Sequence, residues 1–243
     1  MGYKEIFYPE SRFGEFSDID MKIVFYCRVN SLLDPSFTVL DVGCGLGRYG
    51  EDIRIRRELR VLKPKVRRVI GLDIDEKARE NPFIHDFFLL MKKGWPIPND
   101  SVDLILCDNV IEYMEDPGIF FSESARVLKY KGYVCLKTTN LLSYFGLLAN
   151  MIPERYHQRI LEIALLKKQT EPYPVFYRCN TVRKIRRALV RHGFDSVVYG
   201  YEGEPNHLSF SRLAYRIGVL HQKFAPKMFK PTIFAFGQKK DDG

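Results

Sequence analysis

Long apolar runs are missing from this 243-residue chain. No stretch approaches the roughly 20 apolar residues of a membrane-spanning helix. The N-terminus carries Lys4 and Glu5 where a secretory leader would have its apolar core. The five cysteines, at 27, 44, 107, 135 and 179, form no C-x-x-C pair. A structural zinc is therefore not expected. Four of the five fall in or beside apolar segments, which fits buried, reduced thiols in a cytoplasmic protein. Internal repeats and low-complexity tracts are also lacking. The net charge is +8, yet aromatic residues are not interleaved with the bases as on a nucleotide-stacking surface. The bases gather at Arg54 to Arg68 and Arg183 to Arg191. Solvated helix faces are the simpler reading; nucleic acid or an anionic membrane remains open as a partner.

What is present is concentrated at Val39 to Gly50, VLDVGCGLGRYG. A short apolar run with one acid leads into glycines at alternate positions, 43, 45 and 47. This reads as a buried strand passing to a helix through a turn without side chains. Glycine tolerates positive φ, and its missing Cβ lets a ligand touch the backbone. The helix that follows is expected to point free N–H groups at that ligand. The turn therefore predicts a nucleotide-like cofactor.

Two cofactors compete for it. Gly45, Gly47 and Gly50 satisfy the dinucleotide pattern G-x-G-x-x-G, and Asp73 supplies a downstream acid. Against this, Asp41 sits two residues before the first glycine, where it would repel a pyrophosphate and attract a cation. A helical pattern at Asp18 to Leu33 precedes the strand. The chain also ends in a pattern suited to an antiparallel hairpin rather than another βαβ unit. Together these favour S-adenosylmethionine.

Further segments follow in order: VIGLDID at 69–75, HDF at 85–87, SVDLILCDNVIEYMEDP at 101–117 and RVLKYKGYVCLKT at 126–138. With VLDVGCGLG they make the chain resemble the class I S-adenosylmethionine-dependent methyltransferases, closely over about Thr38 to Lys137. The resemblance implies an α/β fold: a doubly wound, mostly parallel, seven-stranded Rossmann-like sheet with a C-terminal antiparallel hairpin. It implies an enzyme that converts S-adenosylmethionine to S-adenosylhomocysteine. The PESRFG and YRCNT segments are similar to those of bacterial methyltransferases without an assigned acceptor.

Alternating apolar strands and helices independently predict a parallel sheet in one domain spanning 1–243. Residues 1–34 read as an N-terminal arm over the cofactor end, then a helix from Asp18 to Leu33. Strands are expected at Thr38–Val42, Val66–Leu72, near Phe83, at Val102–Cys107, Tyr133–Lys137, Ser196–Gly200 and Thr232–Gly237. Helices are expected from the glycine turn to Leu62, at 118–128, at 157–168 and at 181–192. A further amphipathic helix carries Leu213, Ile217, Leu220 and Phe224. Residues 141–180, inserted after strand five, read as a helical cap over the acceptor pocket, at the sheet edge where α/β folds bind ligands.

The resemblance distributes roles. Gly43, Cys44, Gly45 and Gly47 would approach the methionine end, and Asp41 would hold its ammonium. Asp73 would accept from both ribose hydroxyls, with Ile74 beside it. Asp86 and Phe87 would read the adenine. Asp108 and Asn109 would face the methionine end or the acceptor. The family's amino-group methylases carry a polar-Pro-Pro-aromatic tetrad after strand four; here it is Asp108-Asn109-Val110-Ile111. A small-molecule or glycan-type acceptor, methylated at oxygen or carbon, is the expectation. Glu112-Tyr113 replaces the Glu-His of the small-molecule branch, and Lys129-Tyr130-Lys131-Gly132 replaces Pro-Gly-Gly, so the turn rests on Gly132. His157 and Tyr113 are candidate bases; Tyr144, Tyr177, Arg178 and Asn180 are candidate pocket residues, with Asn180 alternatively capping the next helix. No metal is expected, and the chain reads as a monomer or homodimer. The rivals are a nucleic-acid methyltransferase and a non-catalytic module that binds a membrane or partner through Leu141 to Ile152.

Overall fold

The computed structural model describes residues 2–49, 52–90, 94–144 and 173–241. Its centre is a seven-stranded sheet in the order β3-β2-β1-β4-β5-β7-β6. The strands are β1 (Thr38–Val42), β2 (Arg68–Asp73), β3 (Asp86–Leu89), β4 (Val102–Asp108), β5 (Leu128–Thr139), β6 (Phe194–Tyr201) and β7 (Thr232–Lys239). The first five are parallel, and β7 lies antiparallel between β5 and β6. Strands β1 and β4 are apolar almost throughout because both faces are covered. Leu40, Val42, Ile105 and Leu136 meet Phe120 and Phe121 of α4 (Pro117–Val127) and Ile185 and Leu189 of α5 (Val182–Arg191). Val39, Leu104, Leu106 and Phe234 meet Phe25, Tyr26 and Val29 of α2 (Met21–Asn30).

The structure corrects several expected boundaries. Asp20, not Asp18, caps α2, accepting from the amides of Lys22 and Ile23. No described helix follows the glycine turn directly; α3 spans only Arg54–Arg60. Gly43, Gly45 and Gly47 all have positive φ, and alternate left-handed residues cannot propagate a right-handed helix. Strand β3 starts at Asp86 rather than near Phe83, because Asn81 ties the preceding segment to the glycine turn. Its amide donates to the carbonyls of Cys44 and Gly45, and its oxygen accepts from Phe83 N–H. Before β5 straightens, Lys131 rather than Gly132 takes the left-handed conformation, at φ 61°. Gly132 is required for space: a Cβ there would lie 2.9 Å from the Lys129 carbonyl.

Beyond β6, α6 (Arg212–Phe224) lies at the C-terminal edge of the sheet, since β6 ends and β7 begins there. The stripe of Leu213, Ile217, Leu220 and Phe224 faces outward. Tyr215, Gly218 and Val219 face inward instead. The N-terminal arm explains this. Its helix α1 (Tyr3–Phe7) and Tyr8 pack on Tyr215. Pro205 and Leu208 cross so close to Gly218 that a Cβ would lie within 2.7 Å of both. The expected helix at 157–168 and most of the 141–180 cap lie outside the described residues.

Candidate cofactor and acceptor site

Pairing β1 with β2 and with β4 brings three carboxylates to one end of the sheet. Asp41 lies one residue before the end of β1, Asp73 ends β2 and Asp108 ends β4. The glycine turn leaves β1 among them. Gly43 donates to the Leu72 carbonyl at 2.7 Å and packs so close to Val110 that a Cβ would collide with it. A Cβ on Gly47 would collide with Asn81. Gly45 differs: a Cβ there would meet nothing within 4 Å. Two glycines thus serve packing, while Gly45 leaves open space for a ligand. Cys44 contributes only backbone, since its side chain is buried near Gly71.

Asp73 is held ready. One oxygen accepts from Gly45 N–H at 2.8 Å and the other from Asp75 N–H at 3.0 Å. Each keeps a further lone pair for a hydroxyl. Ile74 beside it is 53% exposed. Asp108 accepts from Tyr26 Oη at 2.8 Å and pairs with Lys137 Nζ at 2.7 Å. Asn109 is exposed and left-handed at φ 56°, its N–H donating to the Lys137 carbonyl. Asp41 has no such direct cation among the described residues. Burial, reinforced by Asp108 and opposed by Arg60, pushes its carboxyl up to about 7. Arg60 stacks over Tyr49 at 4.0 Å and pairs with Asp52. An ammonium arriving there would therefore meet, in Asp41, an acid short of positive charge.

Asp86 and Phe87 are not brought to this end. Asp86 opens β3 opposite Ile70, three residues or about 10 Å from the Asp73 level. Its carboxylate pairs with Arg68 at 2.6 Å. Phe87 sits opposite Gly71 in the ladder, with the Arg79 guanidinium over its ring. The part of β3 that reaches the site is its end, where Leu90 N–H donates to the Asp73 carbonyl. The error lay in register: HDF begins the strand rather than ending it.

The acceptor-side candidates separate. His157 lies outside the described residues. Tyr113 is half-buried in the turn after β4. Asn180 is fully buried, donating to Thr138 Oγ1 at 2.7 Å; Thr181, not Asn180, caps α5. Thr138 in turn donates to Glu112, whose carboxyl burial raises to about 7. Tyr177 is half-buried and donates its N–H to the Glu112 carbonyl, whereas Arg178 is exposed. Tyr144 meets residues that sequence reasoning missed. Its hydroxyl lies 2.7 Å from His207 Nε2, and its ring packs edge-on to His221 at 4.7 Å. Glu202, buried at the end of β6, holds His221 Nδ1 at 2.7 Å. Burial lowers His207 to about 4, so it is neutral. These residues join four separate segments, and no local motif announces them.

The mostly parallel sheet, the glycine turn after β1 and the acid ending β2 are the features that the resemblance to the class I S-adenosylmethionine-dependent methyltransferases implies. Residues 40–136 match the family model described as a methyltransferase domain. It is 34% identical over 110 residues to a "Probable S-adenosylmethionine-dependent methyltransferase" of Mycolicibacterium smegmatis, covering 44% of this chain and 39% of that protein. It is 25% identical over 177 residues to the ubiquinone biosynthesis O-methyltransferase of Nitrosomonas europaea, covering 67% of each. The chain spans less than half the length of the first curated relatives it matches, at 39%, 36% and 47%. Among solved structures, the YcgJ protein of Bacillus subtilis shares the fold with a TM-score of 0.57 and 14% identity, covering 90% of this chain and 98% of that one.

Proposed function

We propose that this chain transfers a methyl group from S-adenosylmethionine to a small-molecule or glycan-type acceptor, at oxygen or carbon. The observation that carries this reading is the convergence of Asp41, Asp73 and Asp108 on a turn where Gly45 leaves room for a ligand. Asp73 would accept the ribose hydroxyls, with Ile74 against the adenine and the end of β3 bounding it. Asp41 and Asp108 would flank the ammonium, and the amides of the glycine turn would meet the carboxylate. When bound, the sulfonium supplies a methyl carbon already activated for in-line displacement. The chain's remaining work is alignment, water exclusion and removal of the acceptor's proton.

For that proton we assign His221 as base, oriented by Glu202 and flanked by Tyr144. As the bond from methyl carbon to acceptor forms and the bond from methyl carbon to sulfur breaks, the acceptor's proton passes to His221 Nε2. The absence of a polar-Pro-Pro-aromatic tetrad at 108–111 supports an acceptor other than a planar amine. The relative from Nitrosomonas europaea carries an O-methyltransferase name. The first basic cluster speaks against a nucleic-acid acceptor, because Arg56, Arg60 and Arg68 are engaged with Asp20, Asp52 and Asp86.

The test is transfer of labelled methyl into fractionated cell extract, with and without nuclease treatment. Labelling of a nuclease-resistant small acceptor is expected, and labelling confined to RNA or DNA would overturn the reading. On the acceptor so found, His221→Asn should lower kcat by about 10²–10⁴-fold while cofactor affinity stays within twofold. A wild-type rate would remove His221 as base without touching the cofactor site.

A further inference from the structure

The outer face of α6 is apolar, exposed and cationic at its margins. Leu213, Ile217, Leu220 and Phe224 recur at helical spacing and are 69%, 57%, 50% and 78% exposed. Phe210, just before the helix, is 67% exposed. Among the described residues, fold packing does not account for such a stripe on a surface helix: it uses Tyr215, Gly218 and Val219 on the opposite side. A water-facing helix would carry polar residues there.

The charge pattern identifies what covers it. From Pro205 to Lys240 the sequence contains no aspartate or glutamate, while Arg212, Arg216, Lys223, Lys227 and Lys230 all fall in it. Arg212, Arg216 and Lys223 lie on α6 itself and are exposed. The nearest acids in sequence, Glu202 and Glu204, are turned to His221 and Lys4. An apolar stripe bordered by cations and free of acids is the pattern of a helix lying in the headgroup layer of an anionic bilayer. A protein partner recognised through the apolar stripe would not require that every charge on the helix and its flanking segment be positive. No helix among the described residues is long and apolar enough to cross a membrane, so contact of this kind would be at the surface.

We propose that the outer face of α6 docks this protein on an anionic lipid surface. His221, half-buried on a flank of the same helix, lies beside Tyr144 and Glu202. Docking would set the sheet's ligand-binding edge next to the headgroups, where an amphiphilic acceptor resides. The docking itself stands independently of the methyl-transfer reading, because it rests on the face of α6 alone.

The experiment is flotation of the full chain with vesicles of phosphatidylcholine containing about one-third phosphatidylglycerol, against phosphatidylcholine alone. Binding to the anionic vesicles is expected, weakening steeply as salt rises. Ile217→Ser with Leu220→Ser should lower it at least tenfold. Arg216→Ser with Lys223→Ser should lower it by about 10–30-fold. Both pairs replace exposed residues, so thermal midpoint and S-adenosylhomocysteine binding should match wild type and certify the fold. A second measurement is Phe224→Trp: its emission should shift to the blue with anionic vesicles, against the buried Trp95 as constant background. Failure of wild type to float, equal flotation of either double variant, or an unshifted Phe224→Trp spectrum would overturn the proposal. So would a dimer in light scattering that the apolar double variant disperses, which would assign the face to a second copy.

Discussion

Asp41 is the residue on which burial acts most directly. Its carboxyl is pushed up to about 7 because it is dehydrated and faces Asp108 and Asp73, with only Arg60 opposing. A carboxyl raised in the folded state binds its proton more tightly there than in the unfolded chain. Its contribution to stability is therefore present at low pH and is lost as pH rises from the usual carboxylate range through about 7. Asp41→Asn removes that loss. The variant without ligand should be more stable than wild type at pH 8, by on the order of 2 kcal/mol, and indistinguishable near pH 4. The same change should weaken S-adenosylhomocysteine binding and flatten its pH dependence, because the ammonium favours the ionised acid. Thermal unfolding and calorimetry across pH 5 to 9 check both. A variant less stable than wild type at pH 8 would show that Asp41 is already charge-compensated. The glycines and Asp73 were legible in the sequence because a left-handed turn and a strand-end acid restrict which residue types can stand there. Glu202, His207 and His221 were not, because nothing local binds them to Tyr144; only the crossing of α6 over the sheet edge does.

At the scale of elements, strand interiors were read well and ends poorly. β1 falls where its apolar run predicts, since both faces are buried and every residue is constrained. β3 is a half-buried edge strand, and its start depends on what Asn81 grips. That shift placed Asp86 away from the adenine end. Helix α2 begins two residues later than its apolar pattern implied, because Asp20 both caps it and pairs with Arg56 of α3. Asp20→Ala should thus cost more than a simple cap. It strips two amides and leaves a mostly buried guanidinium with Glu204 only at 4.0 Å. A loss of about 2–4 kcal/mol is expected in urea unfolding. A loss below about 1 kcal/mol would mean that the cap alone matters. The exposed stripe on α6 shows the complementary limit. Helical spacing identified an amphipathic helix, but periodicity does not say which neighbour an apolar face meets.

Across the whole molecule, the glycine turn and the strand ends depend on one another through the sheet. Gly45 holds Asp73, Asn81 holds the turn, and Tyr26 and Lys137 hold Asp108. A ligand that engages this edge should stabilise the whole domain. At a concentration one hundred times its Kd, S-adenosylhomocysteine should add about 2.7 kcal/mol, raising Tm by roughly 5–10 °C for a domain of this size. Asp73→Ala should abolish most of that increase while leaving the variant folded. An equal shift in the variant would show that the ribose is held elsewhere.

Periodicity and the glycine spacing by themselves determined the doubly wound sheet, its antiparallel last strands and the place of the glycine turn. These features are written in burial alternation and in backbone freedom, both local properties of the chain. The partners of each polar group were decided only by the tertiary structure: which acid stands at which end of a strand, which histidine meets Tyr144, which face of α6 looks outward. Those choices depend on residues far apart in sequence that become neighbours only when the sheet forms and its edges are covered.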